Sequence, residues 1–267
     1  MLADADIAAI AGELDAAERS RTQIPLISGR FPEADMADAY RIQDRWVALK
    51  DAAGRKRIGW KIGLTSRAMQ AALQINTPDS GILFDDMRFQ DGDAVPEDRF
   101  IQPRVEAEIA FVLKAPLRGA EVTVCDVLNA TDYILPALEI LDTRVQRQDP
   151  QTGAMRNIID TIADNAANAG IVTGGRPMRP LDADLRWMGA IVSRNAVVEE
   201  TGLGAGVLNH PAMGIVWLVR RLHSLGAGLV AGEVVLSGSF IRPIETRHGD
   251  TITADFGKAG TVSVHFR

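Results

Sequence analysis

Cysteine and histidine are both scarce in this sequence of 267 residues. The one cysteine, Cys125, excludes an intrachain disulfide and agrees with a reducing compartment. The four histidines are scattered, and none has metal-ligand spacing to another: His210, His223, His248 and His265. A zinc site built from clustered cysteine and histidine is therefore not expected.

Positive charge is too sparse for a nucleic-acid-binding surface. The formal net charge is −6, with 29 lysines and arginines against 35 acidic residues. The densest basic run, Arg55–Arg57, leads directly into a predicted strand. Because binding to phosphates requires a basic face, we expect no nucleic-acid partner.

Long apolar runs are missing too. No stretch approaches the ~20 residues of a membrane span. The segment Met1–Ile24 predicts an acidic amphipathic helix and lacks the cationic start and apolar stretch of a signal peptide. We therefore expect a cytoplasmic protein without a membrane partner.

Two common catalytic motifs are not found. The glycine-rich run Gly202–Gly206 matches neither a Walker loop nor a dinucleotide-binding fingerprint. The run Ser237–Ser239 has the wrong order for the glycine–serine–glycine elbow of a serine hydrolase. Nucleotide binding and serine hydrolysis are therefore not expected.

The order of hydrophobic periodicities predicts an α+β fold. Helical spacing dominates residues 1–75, and strand-like alternation dominates residues 76–267. We expect a small helical amino-terminal region and a larger core of mixed, barrel-like β-sheet, joined as one continuous structural unit. Within this frame the pattern predicts strands at 58–62, 103–113, 233–240, 250–256 and 261–266, a hairpin connection at 257–260, helices at 66–73, 122–130 and 209–222, and a loop or lid at 146–168.

Two glutamates one residue apart, Glu106 and Glu108, provide the main functional signal. In a strand their carboxylates point to the same face, and the next residues on that face are Ala110 and Val112. A solvent-facing surface would continue polar, so the pair is predicted to face an interior or a cleft. Two buried like charges cost several kcal/mol per ion unless they are compensated, and a divalent cation would compensate them. The alternative is an ordinary solvated strand face.

Glu139 is the natural third ligand, because it is an acid within the apolar run 135–141. The alternative is an amphipathic helix that turns this acid outward. Three carboxylates without histidine or cysteine form a hard, oxygen-rich site, which favours Mg²⁺ or Mn²⁺ over zinc. The open coordination positions could take the carboxylate and keto oxygens of a 2-oxo acid.

Lys61 and Asp79 are the candidate catalytic residues. Lys61 lies in an apolar strand between Gly59 and Gly63, and these glycines would let a ligand approach the backbone closely. The lysine could pair with a substrate carboxylate or enolate, or transfer a proton, whereas a snorkelling edge lysine is the alternative. Asp79 follows Pro78 in a predicted loop and could act as a general base, although aspartate in a turn is often structural.

Four segments resemble the family of 2-oxopent-4-enoate hydratases and 4-oxalocrotonate decarboxylases, within the wider fumarylacetoacetate hydrolase fold. They are Gly59–Ser66 (GWKIGLTS), Glu106–Glu108 (EAE), Asp164–Gly170 (DNAANAG) and Leu236–Phe240 (LSGSF). The resemblance covers essentially the whole chain. Asn209–Ala212 and the pattern from Ile75 to Asp79 resemble the branch that hydrates a seven-carbon 2-oxo diacid in homoprotocatechuate breakdown.

The resemblance implies a metal-dependent lyase that hydrates a 2-hydroxy-dienoate or its 2-oxo-enoate tautomer. It implies Mg²⁺ bound by three ligands: Glu106, Glu108 and Glu139. It implies a substrate pocket containing Lys61, Asp79, Leu83, Arg67 and Ser239. At position 67 similar enzymes often carry lysine instead of arginine. The family assembles as homo-oligomers built from dimers, commonly larger rings such as a decamer.

The resemblance leaves several activities open. Decarboxylation of 2-oxo-3-hexenedioate and hydration of 2-oxopent-4-enoate would use the same metal platform, and a non-catalytic partner subunit is a further alternative. Carbon–carbon hydrolysis of an acylpyruvate is disfavoured because no histidine precedes His210. A seven-carbon diacid also requires a cation at its far end, for which Arg67 and Arg144 are candidates.

Overall fold

Two β-sheets flanked by helices make up the part of the chain that the computed structural model describes, residues 1–72 and 75–267. The helices are α1 (Asp4–Ser20), α2 (Ile27–Arg30), α3 (Met36–Ala52), α4 (Arg67–Ala72), α5 (Val124–Ala130), α6 (Ile158–Ala163) and α7 (Pro211–Ser224). The strands are β1 (Arg57–Gly63), β2 (Asp79–Phe84), β3 (Arg88–Gln90), β4 (Ala94–Val95), β5 (Arg104–Leu113), β6 (Thr131–Leu141), β7 (Asn168–Thr173), β8 (Gly189–Arg194), β9 (Val197–Leu203), β10 (Val234–Leu236), β11 (Ile244–Glu245), β12 (Thr251–Asp255) and β13 (Thr261–Phe266).

The larger sheet has eight strands and carries the candidate site. Its order is β2-β1-β10-β5-β6-β7-β3, and β11 pairs with β5 beside this path. Strands β5 and β6 are antiparallel neighbours over nearly their full length. Both are rich in apolar residues and mostly buried, as expected for central strands covered on both faces.

The smaller sheet has five strands in the order β4-β13-β12-β8-β9. Strands β12 and β13 form the predicted hairpin, joined by a short 3₁₀ turn at Gly257–Ala259. Apolar residues alternate along both strands, and one face packs into the main core with residues such as Ile252 and Val264. Strand β9 lies at the edge of this sheet and is largely exposed.

The amino-terminal helices pack on one another around a second apolar cluster. Residues Ile10 and Leu14 of α1 and Ile42 and Trp46 of α3 recur at helical spacing and are buried there. Helix α3 begins at an N-cap, Asp35, whose side chain accepts a hydrogen bond from the Asp38 N–H at 2.9 Å. Strand β1 follows these helices directly and lies between β2 and β10 of the larger sheet.

Several predicted elements are confirmed, and others require correction. The segment 146–168 is not an uninterrupted loop, because it contains α6 and a 3₁₀ turn at Asn165–Ala167. The N-cap of α7 is His210 rather than Asn209, since the His210 Nδ1 accepts the Ala212 N–H at 3.0 Å. The predicted helix at 66–73 corresponds to α4, and Leu73 lies outside the described residues.

Within residues 1–72 and 75–267, we find no helix with the length and apolar character that a membrane crossing requires.

Candidate metal centre and substrate pocket

Three carboxylates converge on the paired strands β5 and β6. Glu106 and Glu108 point to the same face of β5, and Glu139 of β6 is the direct register partner of Glu106. One carboxylate oxygen from each residue lies within 4.8 Å of the others. The cross-strand register therefore assembles the cluster that the sequence only suggested.

Most of the cluster is removed from water. Glu108 and Glu139 have no exposed surface, and Glu106 is half-buried. Burial, followed by the charge of Glu139, raises the pKa of Glu106 to about 8. Burial is also the largest cause that raises the pKa values of Glu108 and Glu139. Both alternatives from the sequence, a solvated strand face and an outward-facing helix residue, are therefore wrong.

The hydrogen bonds of the cluster leave oxygen lone pairs free. Glu108 Oε2 accepts the Gly238 N–H at 2.8 Å, which fixes the orientation of this carboxylate. Among the described residues, Glu108 Oε1 and Glu139 Oε2 are buried without a hydrogen-bond partner. Buried, unpartnered carboxylate oxygens are costly, and a divalent cation would satisfy them. The donor set fits a hard cation such as Mg²⁺ or Mn²⁺.

Lys61 projects from β1 into the same cluster. Its Nζ lies 3.3 Å from Glu139 Oε1 and donates a hydrogen bond to the Ala166 carbonyl at 3.0 Å. Burial alone would lower the pKa of Lys61, but the negative charges of Glu139 and Asp79 outweigh it, so the pKa is raised. Lys61 is therefore held as a buried cation and is not a snorkelling edge residue.

Asp79 is the first residue of β2, beside Lys61, so it lies in a strand and not in the predicted loop. It is buried, and within the described part of the chain its Oδ1 has no hydrogen-bond partner. Burial is the main cause that raises the pKa of Asp79, while Lys61 is the largest opposing influence. An unpartnered carboxylate oxygen next to a buried lysine is suited to proton transfer.

The glycines on either side of Lys61 make close contacts within the protein, and the approach of a ligand to their backbone stays a prediction. A Cβ on Gly63 would lie 2.2 Å from Asp79 Oδ1 and 3.0 Å from Lys61 Nζ. A Cβ on Gly59 would lie 1.8 Å from the Val234 carbonyl oxygen of the neighbouring strand. Gly63 thus makes room for the side chains of Lys61 and Asp79, and Gly59 permits strand packing.

A backbone turn behind Lys61 was missed by sequence reasoning. Asn165, Ala166 and Ala167 all have positive φ values, of 51°, 52° and 59°, although left-handed backbone is unfavourable for residues other than glycine. The Asn165 side chain accepts the Ile82 N–H at 2.8 Å and donates to the Ile82 carbonyl at 2.9 Å. This turn aims the Ala166 carbonyl at Lys61, and its only sequence signal was the segment Asp164–Gly170.

Three further residues were predicted to line the substrate pocket, namely Leu83, Ser239 and Arg67. Leu83 is buried in an apolar cluster with Ala110 and Ala137, which share their strand faces with the glutamates of the candidate metal site. The Ser239 hydroxyl donates to the Ile241 carbonyl at 2.8 Å. Arg67 is exposed at the start of α4. Contact of these three residues with substrate stays a prediction.

Arg144 does not have the position that was predicted for it, at the far end of a diacid substrate. Its Nε lies 2.6 Å from Asp164 Oδ1, and its Nη2 donates to the carbonyls of Asp164 at 2.8 Å and Asn168 at 3.2 Å. The guanidinium is buried beneath the left-handed turn and binds the two residues at its ends, Asp164 and Asn168. Arg144 therefore offers no free charge to a substrate.

Comparison with known proteins extends over nearly the whole chain. No protein-family model matches the sequence. A 2-oxo-hept-4-ene-1,7-dioate hydratase from Escherichia coli is 54% identical over 257 residues, which is 96% of each chain. A 4-oxalocrotonate decarboxylase from Pseudomonas sp. (strain CF600) is 35% identical over 97% of this chain and 96% of its own.

The chain belongs to the 2-oxo-enoate hydratase and 4-oxalocrotonate decarboxylase family.

A further member of the hydratase and decarboxylase family, a 2-keto-4-pentenoate hydratase from Paraburkholderia xenovorans (strain LB400), is 38% identical over 94% of this chain and 91% of its own. A solved 4-oxalocrotonate decarboxylase from Pseudomonas putida G7, complexed with magnesium and adipate, superposes with a TM-score of 0.94 at 34% identity. That superposition covers 100% of this chain and 99% of the decarboxylase.

More distant structures establish the wider fold. A Yersinia pestis CO92 protein assigned to the fumarylacetoacetate hydrolase family matches with a TM-score of 0.56 at 16% identity. The superposition covers 78% of this chain and 92% of the Yersinia pestis protein. At 16% identity the likeness concerns the fold alone. The predicted family, the α+β fold of the fumarylacetoacetate hydrolase type and the assignment to metal-dependent lyases are confirmed.

Proposed function

We propose that the protein hydrates 2-oxo-hept-4-ene-1,7-dioate to 4-hydroxy-2-oxoheptanedioate. The observation that carries the proposal is the buried cluster of three carboxylates facing Lys61 and Asp79. Identity of 54% with a hydratase named for this substrate supports the choice within the family. We propose homoprotocatechuate breakdown as the metabolic context.

Glu106, Glu108 and Glu139 would hold Mg²⁺, with Mn²⁺ as an alternative. The two unpartnered oxygens and the fixed orientation of Glu108 support this assignment. When bound, the ion supplies Lewis-acid polarisation of the 2-oxo group and a positive charge beside the 1-carboxylate. Magnesium in the solved decarboxylase, which has the same fold over its full length, agrees with this choice.

Lys61 would stabilise the negative charge that develops on the substrate. Its ammonium group is fixed between Glu139 and the Ala166 carbonyl, so little reorganisation is required during the reaction. A preorganised charge of this kind contributes several kcal/mol to transition-state stabilisation in a buried site. Because its pKa is raised, Lys61 acts as an electrostatic partner and not as a base.

Asp79 would move the protons of the reaction. Removal of a proton from C3 and addition of one at C5 convert the 4-enoate into the conjugated 3-enoate. Water then adds across C3 and C4, with the hydroxyl bonded to C4 and the proton to C3. Asp79 is the candidate to accept the water proton, since its Oδ1 is unpartnered and lies beside Gly63. Unchanged turnover in Asp79→Asn would exclude this role.

A single assay tests the proposed function. Absorbance loss is followed with five-, six- and seven-carbon dienoates, with and without Mg²⁺, and product masses are measured. We expect Mg²⁺-dependent gain of one water and preference for the seven-carbon dioate. The close superposition on a decarboxylase favours one second candidate, decarboxylation of 2-oxo-3-hexenedioate. Release of carbon dioxide without water addition would establish that candidate and reject hydration.

We further propose a cytoplasmic homo-oligomer built from dimers, with a decamer as the expected assembly. Exposed apolar side chains on β8 and β9 support self-association, namely Ile191, Val197, Val198 and Leu203. The single free cysteine agrees with a reducing compartment. Light scattering after gel filtration would give a multiple of the 28.8 kDa chain mass, whereas a monomer would contradict the proposal.

A further inference from the structure

Two arginines near the site, Arg147 and Arg156, have no ion-pair partner in the part of the chain that the structure describes. The Arg156 Nη1 donates to the Thr143 hydroxyl at 2.8 Å, and the Arg147 Nη2 donates to the Gln102 carbonyl at 3.0 Å. Both side chains are half-buried. Within residues 1–72 and 75–267, neither guanidinium forms an ion pair with a carboxylate. Each cation therefore lacks a direct ion-pair partner in a partly desolvated position.

The acids around these arginines are already engaged. Asp142 accepts two backbone N–H groups, at 2.8 and 2.9 Å. Glu245 forms an ion pair with Arg104 across β11 and β5. Asp164 is held by Arg144. Rearrangement of any of these acids toward the two arginines would break an existing charged interaction.

The surroundings disfavour the charged form of both guanidiniums, although the protein has a net charge of −6. Burial, followed by the charges of Arg156 and Arg104, lowers the pKa of Arg147 to about 10. Burial is also the main cause that lowers the pKa of Arg156. Partly buried guanidiniums that lack a carboxylate partner are stabilised by an anion bound between them.

The two arginines are anchored near the start of β5 and the end of β6, the strands that carry the three glutamates. Arg104 and Glu106 share a face of β5, and residues two apart in a strand are separated by about 7 Å. Both unpaired arginines are anchored just beyond this point, Arg147 on Gln102 and Arg156 on Thr143. Arg156 is also near enough to Asp79 that its positive charge lowers the pKa of that carboxyl group.

We propose that Arg147 and Arg156 together bind the 7-carboxylate of the dioate substrate. The inference rests on the proposed function, because only a diacid has a second carboxylate to bind. Six carbon–carbon bonds separate the two carboxylate carbons, so the extended substrate spans about 7–8 Å. This length is comparable with the distance of about 7 Å along β5 from Glu106 to Arg104, beyond which the long arginine side chains are anchored. The pair would thus determine the preference for a dioate over a monoacid such as 2-oxopent-4-enoate.

The test compares Arg156→Gln, Arg147→Gln and the double variant with wild type. Glutamine removes the charge and keeps an N–H donor for the Thr143 or Gln102 oxygen. The readout is the ratio of kcat/KM for the seven-carbon dioate to kcat/KM for 2-oxopent-4-enoate. We expect this ratio to fall about 10- to 100-fold in each single variant, because a charged hydrogen bond is lost. Arg19→Gln, on the exposed face of α1, is the matched control and should leave the ratio unchanged.

A conservative variant and a binding measurement test the same contact between the arginines and the 7-carboxylate. Arg156→Lys retains the charge and should recover part of the dioate preference. Calorimetric binding of heptanedioate, compared with hexanoate, tests the same contact without turnover, and Arg156→Gln should weaken heptanedioate binding by at least about tenfold. An unchanged ratio, or an equal loss for both substrates together with a lowered melting temperature, would overturn the inference. If wild type binds heptanedioate through these arginines but hydrates neither substrate, the proposed function fails and the binding site stands.

Discussion

Replacement of Glu106 by glutamine should stabilise the metal-free protein while removing its response to Mg²⁺. Burial and the negative charge of Glu139 together raise the pKa of Glu106 to about 8. The ordinary value for glutamate is 4.5. At pH 7 the folded, metal-free protein must therefore hold a proton that the unfolded chain has released. The cost to the free energy of unfolding is about 3 kcal/mol at that pH.

The difference between the pKa values of Glu106 in the folded and unfolded states determines how stability changes with pH. Between pH 4.5 and 8 the folded state binds more protons at Glu106 than the unfolded state does. The stability of the metal-free protein should therefore fall as the pH rises through this window and level off above it. Glu106→Gln removes the titrating group, so its stability in chelator should be flatter with pH and higher at pH 7.

The assay is thermal unfolding in EDTA and in excess MgCl₂, from pH 5 to pH 8. Removal of about 3 kcal/mol of strain should raise the melting temperature in EDTA by about 6–12 °C for a domain of this size. Wild type should gain about 3 kcal/mol from Mg²⁺ at 100 times its dissociation constant, and Glu106→Gln should gain far less. Glu97→Gln, an exposed glutamate, is the control for loss of one charge.

Either of two results would refute the reasoning. A Glu106→Gln variant that is less stable than wild type in EDTA at pH 7 would show that the three carboxylates do not repel one another in the folded state. A variant that keeps the full stabilisation by Mg²⁺ would show that Glu106 is not a ligand. Unchanged behaviour of Glu97→Gln is required for both interpretations.

Three further substitutions probe the groups around the metal centre. Lys61→Ala should lower kcat by about 10²- to 10³-fold through loss of a preorganised charge, and wild-type kinetics would exclude that role. Gly63→Ala places a Cβ 2.2 Å from Asp79 Oδ1, so kcat should fall. The melting temperature should also fall, by an amount equivalent to about 1–3 kcal/mol of overpacking. An active, equally stable variant would contradict so close a contact between position 63 and Asp79. Arg144→Met leaves Asp164 buried without its partner and should cost about 3–5 kcal/mol in denaturant unfolding, whereas a loss below about 1 kcal/mol would show that the pair contributes little.

Much of the metal site could be predicted from local sequence. The alternation of β5 places Glu106 and Glu108 on one face whatever the rest of the chain does, because strand geometry has a period of two. The apolar surroundings of Glu139 indicated that this acid is buried. Lys61, in an apolar strand between two glycines, and Asp79, after Pro78, were candidate catalytic residues from their neighbours alone, and the family resemblance predicts that both line the substrate pocket. Each of these inferences requires only a few neighbouring residues.

Other features depend on contacts between distant segments. The register that pairs Glu106 with Glu139, the turn that presents the Ala166 carbonyl, and the meeting of Arg147 with Arg156 are set by the summed packing of many strands and loops. The same packing assigns Arg144 to Asp164 and so removes it from the substrate. Sequence by itself determined which side chains could carry the chemistry, because residue type and local period are written in adjacent positions. Only the tertiary structure decided which charges are paired, because that depends on the neighbours brought together by folding.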